Sequence, residues 1–239
     1  MILAAGRGTR LRPLTDTTPK PLIEVRGKTL LEQIARRLVE AGADRLIVNV
    51  YQHAERIERH LEALELGVEV RISREEERPL ETGGGVLHAA SLFRREGPFL
   101  LHNGDVISEV DLGALLAAQR AAGSLATLAV HARETSRFLL FDEQGLFGWE
   151  NVATARSQTA REARGEVRHL AFAGIHAIDP RFLDLMEERG VFSILVPYLR
   201  LAAAGERVLP HDVTGASWLE IGTPERLEAA RRAVGRGES

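Results

Sequence analysis

The sequence predicts an α/β fold with a mostly parallel sheet and helices on both faces. In the first half of the chain, short runs rich in Val, Ile, Leu and Phe alternate five times with longer segments whose apolar residues recur at helical spacing. The chain has 239 residues, of which 44% are apolar and nine are proline, so it can bury one large core. We therefore expect a single Rossmann-like domain.

The first half gives the clearest elements. Its β-type runs predict the strands Ile2–Ala5, Arg45–Val50, Val68–Ile72, Pro98–His102 and Ala126–His131. Its helical patterns predict helices over Thr29–Ala41, Ala54–Glu65, Gly84–Arg94 and Asp111–Ala121, and Asp111 is the expected N-cap of the last.

The second half is expected to extend the sheet. It contains β-type runs at Phe138–Phe141 and His169–Ala177, and helical patterns at Pro180–Arg189, Ser193–Ala204 and Pro224–Val234. The segment Arg156–Arg168 is polar and contains Gly and several Arg, so it is predicted to be a mobile loop.

Composition excludes several classes of function. The 31 basic and 34 acidic residues are interspersed and give a net charge of −3, so we expect no nucleic-acid partner. No apolar run is long enough to cross a bilayer, and there is no cysteine. The eight histidines show no metal-ligand spacing. A cytoplasmic protein, monomeric or dimeric and without a membrane partner, is expected.

A glycine-rich, cationic loop follows the first strand. Gly6 and Gly8 allow successive backbone N–H groups to converge on anionic oxygens. Arg10 offers a planar fork for phosphate, and Lys20, between two prolines, offers a compact charge on a stiff segment. These features predict a site for a polyphosphate.

Two rival phosphate loops do not fit the same residues. A dinucleotide-binding loop needs a third glycine where this chain has Leu11. The triplet Gly27-Lys28-Thr29 resembles the end of a Walker A loop, but the glycine required upstream is Leu22. We interpret this triplet as a turn and a helix start.

These strings resemble the signature of the sugar-1-phosphate nucleotidyltransferases. Within that family, the chain looks closest to the types that act on N-acetylmuramate 1-phosphate and on mannose 1-phosphate. Family members usually carry a few more residues ahead of the equivalent of Ile2. A start codon assigned too far downstream and a naturally short first strand are the two alternatives, and the sequence does not choose between them. The resemblance covers nearly the whole chain, in the segments Leu3–Thr15, Pro19–Leu22, Pro79–Gly85, Asn103–Asp105 and Trp218–Thr223.

The resemblance implies an enzyme that joins an NTP to a sugar 1-phosphate and releases pyrophosphate, with Mg²⁺ as cofactor. It implies a nucleotide-binding half, residues 1–125, and a sugar-phosphate-binding half, residues 126–239. Arg10 is expected to stabilise the leaving pyrophosphate and Lys20 the α-phosphate. Further nucleotide contacts are expected from Leu3, Ala4, Ala5, Gly6, Gly8 and Thr9.

Two carboxylates are candidate metal ligands. Asp105 follows an apolar run, and by resemblance it is the family's first metal ligand. Glu220 stands where the family generally has Asp, so it keeps the charge but adds a methylene. The alternative for Glu220 is an ion-paired residue at a strand end.

The segment around Pro79 is the candidate base-binding region. Glu76 accepts hydrogen bonds, so it suits the ring N–H of uracil, thymine or guanine and not adenine or cytosine. The alternative is a solvated run of three glutamates. By resemblance, Glu81, Thr82, Gly83 and Gly84 also contact the nucleotide, and close ligand approach would explain why glycines stand at a helix start.

For the sugar phosphate, the resemblance points to Asn103, Asn151 and Gly174. Many relatives also carry a Lys near the Trp149–Asn151 segment, and that Lys is missing here, so another cation must hold the acceptor phosphate. Arg133, Arg137 and Arg156 are the candidates, and the sequence does not choose among them.

Uridylyl transfer from UTP to an N-acetylated sugar 1-phosphate is the expected reaction. Guanylyl transfer from GTP to mannose or heptose 1-phosphate is the alternative. A catalytically inactive nucleotide-sensing subunit is the alternative from another class, but it would be expected to lose Arg10, Lys20 or Asp105, and all three are present.

Overall fold

The structure is a computed structural model and describes residues 1–232. Its helices are α1 Leu14–Thr17, α2 Leu30–Glu40, α3 Ala54–Ala63, α4 Glu81–His88, α5 Leu112–Ala122, α6 Arg181–Asp184, α7 Leu195–Ala203 and α8 Pro224–Arg232. Its strands are β1 Ile2–Leu3, β2 Glu24–Val25, β3 Lys28–Thr29, β4 Arg45–Val50, β5 Glu69–Arg74, β6 Phe99–Asn103, β7 Val106–Ser108, β8 Ala126–His131, β9 Arg137–Asp142, β10 Gly145–Asn151, β11 Arg156–Thr159, β12 Arg168–Ile178, β13 Val208–Asp212 and β14 Trp218–Glu220.

The described chain forms two compact units. The first comprises Met1–Pro79, His102–Glu109 and the described part of Ser217–Ser239, and the second comprises Leu80–Leu101 and Val110–Ala216. Among residues 1–232, no helix combines the length and the apolar character needed to cross a bilayer. The assignment of nucleotide binding to residues 1–125 and of sugar-phosphate binding to residues 126–239 stays a prediction.

The first unit is built on parallel strands. Ile2 of β1 lies between Val48 of β4 and His102 of β6, and β4 pairs in parallel with β5. In such a sheet, ligands bind beyond the carboxyl ends of the strands. The loops after β1, β5 and β6 therefore leave the sheet at one edge, as the sequence predicts.

Helix α2 shows why the local sequence folds as it does. Thr29 caps it by accepting a hydrogen bond from the Glu32 N–H at 3.1 Å, which confirms the predicted turn and helix start. Five apolar side chains on one stripe of α2 are buried, and burying such a stripe drives helix packing: Leu30, Leu31, Ile34, Ala35 and Leu38.

The second unit is mostly antiparallel. Strand β12 pairs antiparallel with β8 and β9, and β10 pairs antiparallel with β9 and β11, whereas β13 runs parallel to β8. Asp111 caps α5, as predicted, by accepting from the Ala114 N–H at 2.8 Å. The α/β fold class of the prediction is confirmed, and the fully parallel part of the sheet lies in the first unit.

Several predicted elements need correction. The segment Arg156–Arg168 is not a loop throughout, because Arg156–Thr159 forms a strand against β10. The predicted helix Pro180–Arg189 is only the single turn α6, and β10 has no counterpart in the prediction. Helix α4 begins at Glu81 and ends at His88, earlier than predicted at both ends. Of the predicted helix Pro224–Val234, the last two residues lie outside the described residues.

Candidate active site

The glycine loop is held against the segment that carries Lys20. Gly8 has φ 63°, and a Cβ there would stand 2.9 Å from Cγ2 of Thr15 and 3.3 Å from Cβ of Lys20. The Thr15 hydroxyl also donates to the Gly8 carbonyl at 2.9 Å. Gly6 is different, because the space beside its Cα is open. Gly8 therefore allows close packing within the protein, while Gly6 leaves the backbone accessible.

Lys20 and Asp105 form the central ion pair of the first unit. The Lys20 Nζ lies 2.7 Å from Oδ2 of Asp105, and the two side chains are 12% and 27% exposed. Asp105 follows β6 after Gly104, whose N–H donates to the Leu3 carbonyl at 2.9 Å. A Cβ on Gly104 would stand 2.5 Å from that carbonyl oxygen. The glycine thus lets the Asp105 turn lie directly beside the end of β1.

Glu220 lies on the strand next to Asp105. Strand β14 is antiparallel to β7, with Glu220 opposite Val106, and the Ile221 N–H donates to the Asp105 carbonyl at 2.7 Å. The Glu220 carboxylate is shared by two arginines. Oε1 lies 3.7 Å from Nη2 of Arg10, and Oε2 accepts a short hydrogen bond from Arg226.

An apolar cluster fixes the segments that carry these charged groups. Leu11, next to Arg10, is buried in it together with Ile23 from the Lys20 segment and Ile221, next to Glu220. Burial of each such side chain contributes roughly 1.5–3 kcal/mol to the stability of the fold. The cluster therefore holds the three segments together.

The donor set suits a small divalent cation. Mg²⁺ is bound in proteins by one or two carboxylates together with substrate phosphates. Asp105 supplies one carboxylate from the turn before β7, and Glu220 supplies another from β14, which pairs with β7. In the structure, each carboxylate pairs with a cation, Lys20 or Arg10, that a bound polyanion would also attract. Within residues 1–232, no group of three or more His, Cys, Asp or Glu side chains is gathered to hold a metal.

The run Glu75–Glu77 does not behave as one solvated face. Glu75 is buried and accepts a hydrogen bond from Asn49 Nδ2 at 2.9 Å, whereas Glu76 is exposed. The chain is anchored on both sides of Glu76, since the Glu75 N–H donates to the Val50 carbonyl and the Tyr51 hydroxyl donates to the Glu77 carbonyl. Glu76 and Glu77 are thus both exposed, and Glu76 extends from a backbone that hydrogen bonds hold on either side.

In the second unit, the glycines of α4 have a packing role. A Cβ on Gly83 would stand 2.5 Å from the Phe192 ring, and one on Gly84 would stand 2.5 Å from the Gly190 carbonyl oxygen. The Thr82 hydroxyl accepts from the Ile194 N–H at 2.9 Å. Close approach of the 190–194 segment therefore explains these glycines, in place of the predicted close approach of a ligand. The nucleotide contacts of Glu81, Thr82, Gly83 and Gly84 stay predictions.

The predicted sugar-phosphate residues sit in strands. Asn103 ends β6, and Gly174 has φ 78° where the pairing of β12 with β8 shifts register. Asn151 ends β10, directly opposite Arg137 of β9 on one side and Arg156 of β11 on the other. Side chains directly opposite each other on antiparallel strands share a face. The structure therefore brings together two of the three candidate cations around Asn151.

Comparison with known proteins identifies the family. Residues 1–140 match the family model described as nucleotidyl transferase. This chain belongs to that family. A relative from Caulobacter vibrioides, N-acetylmuramate alpha-1-phosphate uridylyltransferase, is 36% identical over 96% of this chain and 94% of its own length. The mannose-1-phosphate guanylyltransferase catalytic subunit beta of Drosophila pseudoobscura pseudoobscura is 34% identical over 94% of this chain and 59% of its own length.

The fold of this nucleotidyl transferase is also that of solved relatives. A crystal structure of UDP-glucose pyrophosphorylase with UDP-glucose superposes with a TM-score of 0.79 at 16% identity, covering 99% of this chain and 98% of the other. The chain is accordingly an enzyme of the sugar-1-phosphate nucleotidyltransferase class, as its motifs predict.

Sequence reasoning missed one residue of the nucleotidyl transferase site. Arg226 bonds to Glu220 from the first turn of α8. Its position six residues after Glu220 gave no signal, because the pairing depends on how the chain turns between β14 and α8. The helical spacing of α8 alone would place Arg226 on a solvated face.

Proposed function

We propose that this enzyme transfers a uridylyl group from UTP to N-acetylmuramate 1-phosphate, producing the UDP-sugar and pyrophosphate. The single observation that carries the chemistry is a pair of ion pairs within the first unit. Lys20 pairs with Asp105, and Arg10 pairs with Glu220. The 36% identity with a uridylyltransferase over nearly the full chain supports this choice of substrates.

The reaction is an in-line displacement at phosphorus. An oxygen of the acceptor phosphate forms a bond to the α-phosphorus while the bond from that phosphorus to the bridging oxygen of the β-phosphate breaks, and pyrophosphate leaves with the electron pair. The acceptor is already an anion at neutral pH, so no side chain has to remove a proton. Catalysis then depends on position and charge neutralisation.

Arg10 and Lys20 supply the neutralising charge. Lys20 meets the α-phosphate as negative charge develops there, and Arg10 meets the leaving pyrophosphate. Both cations are held by carboxylates in the structure, so a triphosphate competes with Asp105 and Glu220 for them. Arg226 keeps Glu220 oriented while Arg10 moves to the substrate.

Asp105 and Glu220 are the residues that would hold Mg²⁺. Bound there, the ion would supply Lewis-acid stabilisation of the triphosphate oxygens. Glu220 reaches one methylene further than the Asp usual in relatives, and its Oε2 accepts a hydrogen bond from Arg226.

Exposed Glu76 reads the base by accepting from a ring N–H, which uracil offers and cytosine does not. Arg137 and Arg156 hold the acceptor phosphate from either side of Asn151. Arg133, the third candidate cation, instead donates to the Phe172 carbonyl at 3.4 Å. The variants R137A and R156A should raise KM for the sugar 1-phosphate while leaving KM for the NTP unchanged, and R133A serves as the matched control.

Pyrophosphate release measured with UTP, GTP, dTTP, ATP and CTP against several sugar 1-phosphates tests the whole proposal. The highest kcat/KM is expected with UTP and N-acetylmuramate 1-phosphate. A preference for GTP and mannose 1-phosphate would replace the proposal with the guanylyl alternative, to which the 34% identical relative corresponds. No turnover with any pair, together with nucleotide binding, would indicate the sensing subunit.

A further inference from the structure

One pocket of the first unit contains none of the residues assigned to the candidate active site. Its volume is about 360 Å³, and it is lined by the β2–β3 turn, one face of α2, and β7 with the end of β6. Pockets for small molecules have volumes of about 300–1,000 Å³. The space therefore suits a ligand larger than a single phosphate ion.

The lining of this pocket is predominantly cationic. Four basic side chains, Arg26, Lys28, Arg36 and Arg37, face two acidic ones, Glu40 and Glu109. Within residues 1–232, no side-chain hydrogen bond or ion pair occupies Arg26 or Lys28, and both are exposed at the turn between β2 and β3.

The other two cations are held in place. Arg36 pairs with Glu32 at 2.9 Å, and Arg37 donates to the Ser108 hydroxyl at 3.2 Å. The pocket thus combines fixed guanidinium groups on α2 with unengaged cations at the turn. Guanidinium and ammonium groups in this combination favour phosphate oxygens.

The rest of the lining is mixed. Gln33, His102 and Ser108 are polar, Ile34 and Val106 are apolar but already buried by the fold, and Ile107 is apolar and partly exposed. A purely inorganic anion would gain nothing from Ile107, whereas a nucleoside or sugar attached to a phosphate would bury its apolar surface, worth about 25 cal/mol for each Å².

We propose that this pocket binds a diphosphate ester, such as a nucleoside diphosphate or a nucleotide sugar. The diphosphate lies between the β2–β3 turn and α2, and the esterified group lies on Ile107. Binding here does not depend on the proposed reaction. The effect of such binding on the active site rests on the proposed function.

Strand β7 links the pocket to the active site. Ser108, which accepts from Arg37, is paired with Trp218 of β14, and Val106 is paired with Glu220. Asp105 immediately precedes β7. A ligand that draws Arg37 away from Ser108 therefore acts on one end of the β7–β14 ribbon, whose other end carries Glu220 and adjoins Asp105. Trp218, opposite Ser108, is the reporter.

Calorimetric titration with UDP and, separately, with pyrophosphate tests the proposal. Wild-type protein should bind UDP at two sites, and the double variant Arg26→Ala/Lys28→Ala should weaken one of them at least tenfold. Lys20→Ala should weaken the other. The matched control is Arg59→Ala/Arg71→Ala, which removes two exposed arginines of the same unit outside both sites. Pyrophosphate should bind the pocket more weakly than UDP, because it leaves the apolar lining uncovered.

Fluorescence provides a second measurement. In a Trp149→Phe background, Trp218 is the one remaining tryptophan of the chain. Its emission should still respond to UDP when Lys20 is replaced, and the response should be lost in Arg26→Ala/Lys28→Ala. Binding of UDP at one site that Lys20→Ala removes and the double variant leaves intact would overturn the proposal. Failure of the proposed reaction would appear instead as absent turnover with pocket binding retained.

Discussion

Replacing Lys20 with alanine tests the active-site assignment most directly. Its ammonium lies 2.7 Å from Asp105, and only 12% of the side chain is exposed. Removing one partner of a fully buried ion pair costs about 3–5 kcal/mol, and an exposed pair contributes about 0–1 kcal/mol. Because Asp105 retains some solvent contact, we expect a loss of roughly 1–2 kcal/mol in the free energy of unfolding, between these limits.

The expected loss of catalysis is larger. A cation that neutralises charge developing in the transition state contributes roughly 2–4 kcal/mol, so kcat should fall about 30- to 1000-fold. Steady-state pyrophosphate release measures this, with urea unfolding run in parallel. Arg59→Ala, which removes an exposed cation of the same unit outside both sites, is the control and should leave kcat unchanged. A Lys20→Ala enzyme whose kcat lies within threefold of wild type would remove Lys20 from the mechanism.

Four further outcomes are expected. Asp105→Asn should abolish Mg²⁺-dependent turnover while Glu220→Asp retains much of it, and an unchanged Mg²⁺ titration for Glu220→Ala would make Glu220 purely an ion-pair partner. Glu76→Gln should weaken discrimination against CTP by ~1–3 kcal/mol in competition assays, unless Glu76 is merely solvated. Gly83→Ala should lower the melting temperature by several degrees, because its methyl group would overlap an aromatic ring. Burial lowers the pKa of His102 to about 4. The unfolded chain therefore binds more protons, and stability should fall as the pH drops from about 6.5 toward 4, by up to ~1.4 kcal/mol for each pH unit. Urea unfolding should show a flatter pH dependence for His102→Gln, and an equal slope would contradict this origin.

The sequence predicts elements whose signal is local. Strands Arg45–Val50 and Ala126–His131 have the predicted bounds, because each is an apolar run ended by polar residues. Strand Arg156–Thr159 has no such signal. All four of its residues are exposed, and it exists through pairing with β10. An edge strand of this kind is specified by its partner and not by its own residue types.

In the site too, the sequence predicts the residue types, whereas their contacts depend on the tertiary structure. The motifs predict Lys20, Asp105 and Glu220 as chemically important, but their pairing depends on tertiary distance. Three consecutive glutamates look alike in the sequence, and only the position of Asn49 shows that Glu75 is the structural one. The proposal that Arg137 and Arg156, and not Arg133, hold the acceptor phosphate rests on the register of three strands, which the sequence does not reveal.

The first unit is assembled from three separated stretches of chain, and this has a consequence for synthesis on the ribosome. Arg10 is translated long before its partner Glu220. Leu11 and Ile23 remain without Ile221 until the third stretch is translated, so a nascent chain exposes apolar surface at the future active site. A ribosome stalled before Ser217 would hold a product that lacks a candidate metal ligand, so we expect activity to arise only after Glu220 has been translated.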